Sequence, residues 1–475
     1  MFILRMLLEI AVMIILFVIV GLIAVKIIFK KKGKKKLSIK KVKTVVFDVS
    51  KVKEDVAIPA IKGKDELAYY EVLQGLNDIA EDKNIKKVII DVDELSLTFS
   101  QMEEISKIFD KIRKNKEVVA IGTLFDENKY RQALLADKIY MLDTRQSTFI
   151  FRGYLHKELY LKSFLEKFGV KMNVLHIGNY KVAGEKYNHN EMSEEKKESI
   201  KNIKDKIFEG FVKLVKDKRG TDIEEEILNG DLIFAGKEKA LEYKLIDGVA
   251  DYDEIGINYK EDTVSLEDYV SMSKEKKEKA KDTIAVINLE GVIDGRNSKK
   301  SITYENVCDK LEILEEMKNL KGLVLRINSP GGSALVSEKI YKKLKKLTVP
   351  IYVSMGDLCA SGGYYIATTG QKLFANNLTL TGSIGVVMMY PEVEGVLKKL
   401  DVNLEGFEKG TGFDMLNPFE KLGENSKDKI IYNMNEVYTE FKEHVMKARG
   451  MNEEELEKIA QGRVWLGSEA KNINL

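Results

Sequence analysis

The stretch GDLCASGGYYIA (Gly356 to Ala367) sets one hydroxyl, Ser361, among small residues between two apolar runs. A serine hydroxyl is a weak nucleophile. It needs a base within hydrogen-bond reach and donors for the oxyanion that forms on an attacked carbonyl. Histidine is the usual base, but only His156, His176, His189 and His444 occur, none in a recognisable motif. A lysine can serve when burial lowers its pKa from about 10.4 toward 7 to 8, a shift of roughly 3 to 5 kcal/mol at about 1.36 per unit. Lys181, in LHIGNYKVAGEKY (Leu175 to Tyr187), follows a short apolar strand and is the candidate base. In NSPGGS (Asn328 to Ser333), the paired Gly331 and Gly332 let backbone N–H groups approach a ligand closely. Taken singly these signals are weak. A Ser-Gly-Gly cluster is more often a strand-to-helix turn, SPGG is a turn signal, and one lysine among many carries little.

The elements that must position these residues are written twice. KTVVFDV (Lys43 to Val49) resembles DTIAVIN (Asp282 to Asn288), and IKKVIIDVDEL (Ile85 to Leu95) aligns with LKGLVLRINSP (Leu320 to Pro330). ALLADKIYM (Ala133 to Met141) aligns with IATTGQKLFA (Ile366 to Ala375), and GDLIFAG (Gly230 to Gly236) with GRVWLG (Gly462 to Gly467). The copies stay roughly 230 to 240 residues apart, the mark of an internal repeat. Each alternates β-branched runs with helix-patterned segments such as SQMEEISKIFDKIRK (Ser100 to Lys114), which is the rhythm of an α/β unit with a covered parallel sheet. The expected organisation is 1–42, an apolar segment with a basic flank; 43–256, the first repeat; 257–281, a charged linker; and 282–475, the second repeat.

Comparison of the copies sharpens the chemistry. Where the second has NSPGGS the first has DELSLT (Asp93 to Thr98), and Glu127 stands opposite Ser361 while Tyr130 and Tyr364 coincide. Conversely, Phe413 of the second copy falls roughly opposite Lys181. Each copy keeps half of a site, so the halves are expected to meet within one chain. The second copy stops at KNINL where the first continues LIDGVADYDEIG (Leu245 to Gly256).

Composition excludes several classes. Two cysteines, Cys308 and Cys359, make neither a disulfide framework nor a zinc site, and neither a metal nor a cofactor is expected. The first 36 residues carry +7 from Arg5 and seven lysines against Glu9, so under the net charge of +2 the remainder sums to −5. A mildly acidic body argues against nucleic-acid binding. IAVMIILFVIVGLIAV (Ile10 to Val25), extended by Ile27 to Phe29, nearly reaches the roughly 20 residues of a membrane span. The lysines follow it rather than precede it, which favours an uncleaved anchor and a flank that meets anionic lipid.

RINSPGGS, GDLCASGGYYIA, TGSIGVV (Thr381 to Val387), GNYKVAGEKY and IAQGRVWLGSEAK (Ile459 to Lys471) together resemble the long, two-repeat form of bacterial signal peptide peptidase A, from about Lys43 to the C-terminus. The resemblance implies a tandem crotonase-like (ClpP-like) α/β unit behind an N-terminal transmembrane helix. It implies a Ser/Lys dyad that cleaves remnant signal peptides in the membrane, with Ser361 as nucleophile and Lys181 as general base. It also implies an oxyanion hole of backbone N–H groups from the Gly331/Gly332 turn and Gly362, and Ser383 hydrogen-bonded to the lysine amine. Association of chains into a closed ring, such as a tetramer, is expected. The charge rule places the body in the cytoplasm, whereas the resemblance implies the outer face of the bacterial cytoplasmic membrane, the side adopted as the expectation. Two other readings remain: a crotonase-type acyl-CoA enzyme, which would need neither Ser361 nor Lys181, and a non-catalytic peptide-binding scaffold.

Overall fold

Runs of β-branched residues become buried parallel strands in both halves of the chain. The computed structural model describes residues 41–49, 67–257, 262–273, 281–296 and 301–475. KVIID forms the strand Lys87–Asp91 with only its first residue outside the core, and LKGLVLRINS forms Leu320–Ser329. Such continuous apolar runs suit strands covered on both faces. The first sheet runs Thr263–Ser265, Thr44–Phe47, Lys87–Asp91, Glu117–Gly122, Lys138–Leu142, Gly248–Ala250, every pair parallel. The second runs Thr283–Glu290, Leu320–Ser329, Ile351–Ala360, Leu380–Gly382, Val464–Leu466. Lys372–Phe374 also pairs with Ile351–Ala360, and only the pair with Val464–Leu466 is antiparallel.

The helices repeat in the same order. Phe99–Ile112 turns Ile105, Ile108, Phe109 and Ile112 inward at helical spacing, and the Thr98 side chain caps it by accepting from Gln101 N. Its counterpart Ala334–Leu344 is capped by Ser333. The helices Glu194–Arg219 and Glu424–Arg449, 26 residues each, both end on a left-handed glycine, Gly220 and Gly450. Two cores result, one around Phe109, Phe125, Tyr130 and Phe149, the other around Leu325, Val353, Tyr364 and Phe441.

Part of the stretch expected as a charged linker is built into the first sheet. Thr263–Ser265 pairs with Thr44–Val46, and the helix Leu266–Ser273 buries Leu266, Tyr269 and Val270. Three apolar side chains on one helical face outweigh the charged residues around them. Among the described residues no helix is long and apolar enough to cross a membrane; the anchor expected within 1–42 lies outside those residues.

Two of the contacts that join the repeats lie outside the site. Lys171–Ile177 of the first pairs antiparallel, along its whole length, with Val386–Glu392 of the second. The start of helix Phe99–Ile112 docks on the second sheet: Ser100 N and Oγ both donate to Asp357 Oδ1 at 2.9 Å, and Glu104 Oε1 receives Arg326 Nη1 at 2.6 Å and Asn376 Nδ2 at 2.7 Å. The Arg326 side chain is 7% exposed and that of Glu104 21%. Removing one member of a buried pair strands the other charge. Glu104→Ala should therefore lower the unfolding free energy by about 3 kcal/mol, read by denaturant titration, while Glu104→Gln, which still accepts a hydrogen bond, should lose clearly less.

Candidate active site

Ser361 ends the strand Ile351–Ala360 and opens the helix Gly362–Ala367, with φ 53° and ψ −123°. A non-glycine residue in that region is strained, and the surroundings hold it there. Ser361 N donates to Gly382 O at 2.8 Å, and Ser361 O accepts from Tyr365 N at 2.8 Å. Its hydroxyl makes no helix-capping bond, so the side chain is left to other partners. Cys359, two residues earlier, is fully buried, and burial raises its thiol well above the ordinary range, which leaves it no thiolate to act as a nucleophile.

Lys181 arrives from the other repeat. The paired strands place Ile177 beside Val386, so the turn after Ile177 lies against the loop between Gly382 and Val386. The Lys181 side-chain nitrogen, Nζ, stands 3.0 Å from Ser361 Oγ, 2.9 Å from Ser383 Oγ and 2.7 Å from Ser383 O. Lys181 is 5% exposed. Burial with no carboxylate partner pushes its pKa down to about 7, because a low-dielectric site disfavours the charged form. Ser383, itself at φ 55°, is held by its N–H to Arg463 O at 2.8 Å.

The glycines behave differently from one another. Gly331 has φ 94°, and a Cβ there would lie 2.6 Å from Gly362 N and 2.8 Å from Ser361 Cβ; only glycine permits this approach. The Gly331 N–H, however, donates to Ser329 Oγ at 3.1 Å, so it is not open to a ligand, a correction to the expectation that it lines an oxyanion hole. Gly332 backs onto Ile293, whose N–H and C=O engage Gly331 O and Ser333 N, which turns the Gly332 N–H the other way. Among the described residues neither Gly332 N nor Gly362 N meets an acceptor. A Cβ built on Gly362 would sit 3.3 Å from Gly332 N, so these two donors adjoin each other and Ser361. Ser329, with Ser333 and Ser383, is an alternative nucleophile by sequence; its bond to the Gly331 N–H is not legible there, because a serine two residues before a glycine carries no distinctive signal.

None of the four histidines hydrogen-bonds to Ser361. His444 reaches Glu338 Oε2 at 3.1 Å, which also receives Tyr365 OH at 2.5 Å. Glu338, Glu440 and His444 form the group with metal-ligand spacing among the described residues. Lys342 stands 2.6 Å from Glu338 Oε1, so both oxygens of that carboxylate already have protein partners.

A family model described as Peptidase family S49 matches residues 110–267 and 343–475, and one described as Clp protease matches 275–379. The second repeat thus carries a ClpP-like unit. The chain is 28% identical to Protease 4 of Haemophilus influenzae, covering 85% of this chain and 70% of that protein. It is 30% identical to the chloroplastic serine protease SPPA of Arabidopsis thaliana, covering 83% of this chain and 61% of that one. Against the putative signal peptide peptidase SppA of Enterococcus faecium it is 36% identical over 36% of this chain and 51% of the relative. The matches therefore span about half to seven-tenths of the length of these relatives.

The Lys181 seat has a thermodynamic signature. A lysine held at about 7 in the folded protein against its ordinary 10.5 costs nothing above pH 10.5 and destabilises the fold progressively as pH falls toward 7. At neutral pH the burial penalty is on the order of 4 to 5 kcal/mol. Lys181→Met, similar in shape and uncharged, should raise unfolding free energy near pH 6.5, and the gain should shrink toward pH 9.5. A gain that grows with pH would contradict a depressed lysine.

Proposed function

Because this chain belongs to peptidase family S49 and is on that ground a serine peptidase, we propose that it hydrolyses peptides through a dyad of Ser361 and Lys181 shared between its repeats. The observation that carries this reading is the 3.0 Å contact from a desolvated lysine amine to the hydroxyl of a strained serine. Neutral Lys181 takes the Ser361 proton as Oγ attacks the scissile carbonyl carbon. The C=O electron pair moves to oxygen, and Gly332 N–H and Gly362 N–H face that oxyanion. The tetrahedral species collapses with cleavage of the C–N bond, and Lys181 returns the proton to the departing amine. A water then attacks the acyl carbon while giving a proton to Lys181; the bond from that carbon to Ser361 Oγ breaks, and Lys181 passes the proton to Oγ, which releases the acid and restores Ser361 and the neutral amine. Ser383 holds the amine through its Oγ and its carbonyl.

The substrates of this reading are released signal peptides, short and apolar, in line with the name of the Enterococcus relative. The apolar segment Ile10 to Val25 anchors the chain in the bacterial cytoplasmic membrane, with the body on the outer face and chains associated in a ring. An acyl-CoA reading has no use for a lysine bonded to a serine.

A fluorophosphonate should label Ser361, located by mass mapping. Ser361→Ala should lower kcat/KM at least about a thousandfold with the melting temperature little changed, and Lys181→Arg should fail similarly because a guanidinium stays protonated. Labelling elsewhere would overturn the assignment. Chains carrying Ser361→Ala, co-expressed with chains carrying Lys181→Ala, should show no recovered activity, since neither chain holds both residues.

A further inference from the structure

The turn Gln461–Arg463 takes no chemical role in the dyad, yet it touches both halves of the site. Gln461 sits in the left-handed region, φ 54°. Its carbonyl accepts Tyr180 N–H at 2.8 Å, and its side-chain Oε1 accepts Asn179 N–H at 3.0 Å, so it grips the two residues before Lys181. Its amide Nε2 donates to Glu457. Gly462, φ 78°, is pressed on Lys181 itself: a Cβ there would lie 2.5 to 2.7 Å from Lys181 N, Cβ and Cα. Gly462 N donates to Ile384 O at 2.7 Å, and Arg463 O accepts from Ser383 N. The Arg463 guanidinium lies over the rings of Tyr180 and Trp465, at 4.8 and 4.7 Å, and reaches Glu198 Oε1 at 2.9 Å.

We propose that Gln461 is a positioning residue for the peptidase reaction, the clamp through which the second repeat holds the Lys181 loop of the first so that the amine stays in its dry seat between Ser361 and Ser383. This rests on the dyad reading. The side chain is the right length for two tasks at once: one end of the amide holds the Asn179 N–H and the other holds a carboxylate at arm's length from the loop. The charged and titratable groups packed around the loop and Gln461 are His176 on the entering strand, Glu185 and His189 at the helix after it, Glu195 and Glu198 on the long helix, Lys442, Glu453, Glu454, Glu457 and Lys458 on the helices behind Gln461, and Arg463. None bonds to the Lys181 amine. Glu185 is taken by Ser193, Glu198 by Tyr180 and Arg463, and Glu457 by Gln461, Lys442 and Tyr438.

The test uses the full chain with a fluorogenic peptide and, separately, the rate of fluorophosphonate labelling, each as a function of pH. The wild type should show an acid limb near pH 7, where Lys181 loses its proton, and labelling at Ser361. Gln461→Asn tolerates the left-handed backbone but is one methylene too short to hold both partners. It should lower kcat at least about tenfold with KM within about twofold, and move the acid limb up by about one unit as water reaches the amine. Gln461→Glu keeps length and the Asn179 acceptor but sets a carboxylate against Glu457; its limb should also move up, with a smaller loss of rate above it. Wild-type rate and limb in Gln461→Asn would overturn the clamp. So would a lowered melting temperature and rate with the limb unmoved, which is what a purely structural role gives. Labelling of the wild type away from Ser361 would strike the dyad reading first and the clamp with it.

Discussion

The site depends on one desolvated amine. Three of the four buried lysines among the described residues show how much the partners decide. Lys196 lies against Glu158, and Lys442 against Glu453 and Glu457; both are 8% exposed, and in both the carboxylates lift the pKa although burial pulls the other way. Lys181, 5% exposed, has hydroxyls and a carbonyl in place of carboxylates, and its pKa falls to about 7. An ammonium there would meet dipoles only, so the amine is neutral near the pH at which a base is useful. Everything near it must therefore supply polarity without charge, which is why Ser383 and its carbonyl, rather than an acid, face the nitrogen.

That demand explains the division between repeats. In the first repeat Asp126 caps the helix Glu127–Ala133 by accepting Lys129 N–H, and Glu127 Oε1 receives Arg152 N and Gly153 N. The position opposite Ser361 has become a strut, fully committed to backbone. In the second repeat Ser361 opens the helix without capping it, and its hydroxyl is left for the lysine. Phe413, roughly opposite Lys181 in sequence, is 48% exposed and far from any such duty. Duplicated elements carry the two groups to one place through the antiparallel pair Lys171–Ile177 and Val386–Glu392, one strand from each repeat.

Much of this was legible. The apolar runs marked the central strands, and the differences between copies singled out Ser361 and Lys181, which the fold sets 3.0 Å apart. What was not legible depends on conformation. Whether the Gly331 or the Gly332 N–H is open turns on the φ of each glycine and on Ser329 Oγ, and no residue type reports that. The strand Thr263–Ser265 is three residues long within a charged stretch, too short to show a period of two. Gln461 stood in view within IAQGRVW, yet glutamine has no preference for the left-handed backbone it adopts here, and its partners belong to a turn about 280 residues earlier in the chain.

Strain at the site is shared in a closed circuit. Ser361, Ser383 and Gln461 are three non-glycine residues at positive φ around one amine, each costing of order 1 kcal/mol or more. Ser361 N is bonded to Gly382 O, the residue before Ser383; Ser383 N is bonded to Arg463 O, two residues after Gln461; Gln461 O is bonded to Tyr180 N, the residue before Lys181. Lys181 Nζ returns to Ser361 Oγ. Each unfavourable backbone is thus fixed by a hydrogen bond to the segment that carries the next, and the amine closes the ring. A link removed anywhere frees a residue whose relaxed conformation lies elsewhere, so the geometry needed for proton transfer is lost as a unit rather than by degrees. The two repeats need no covalent tie at the site because this circuit crosses between them twice, at Tyr180 and at the amine.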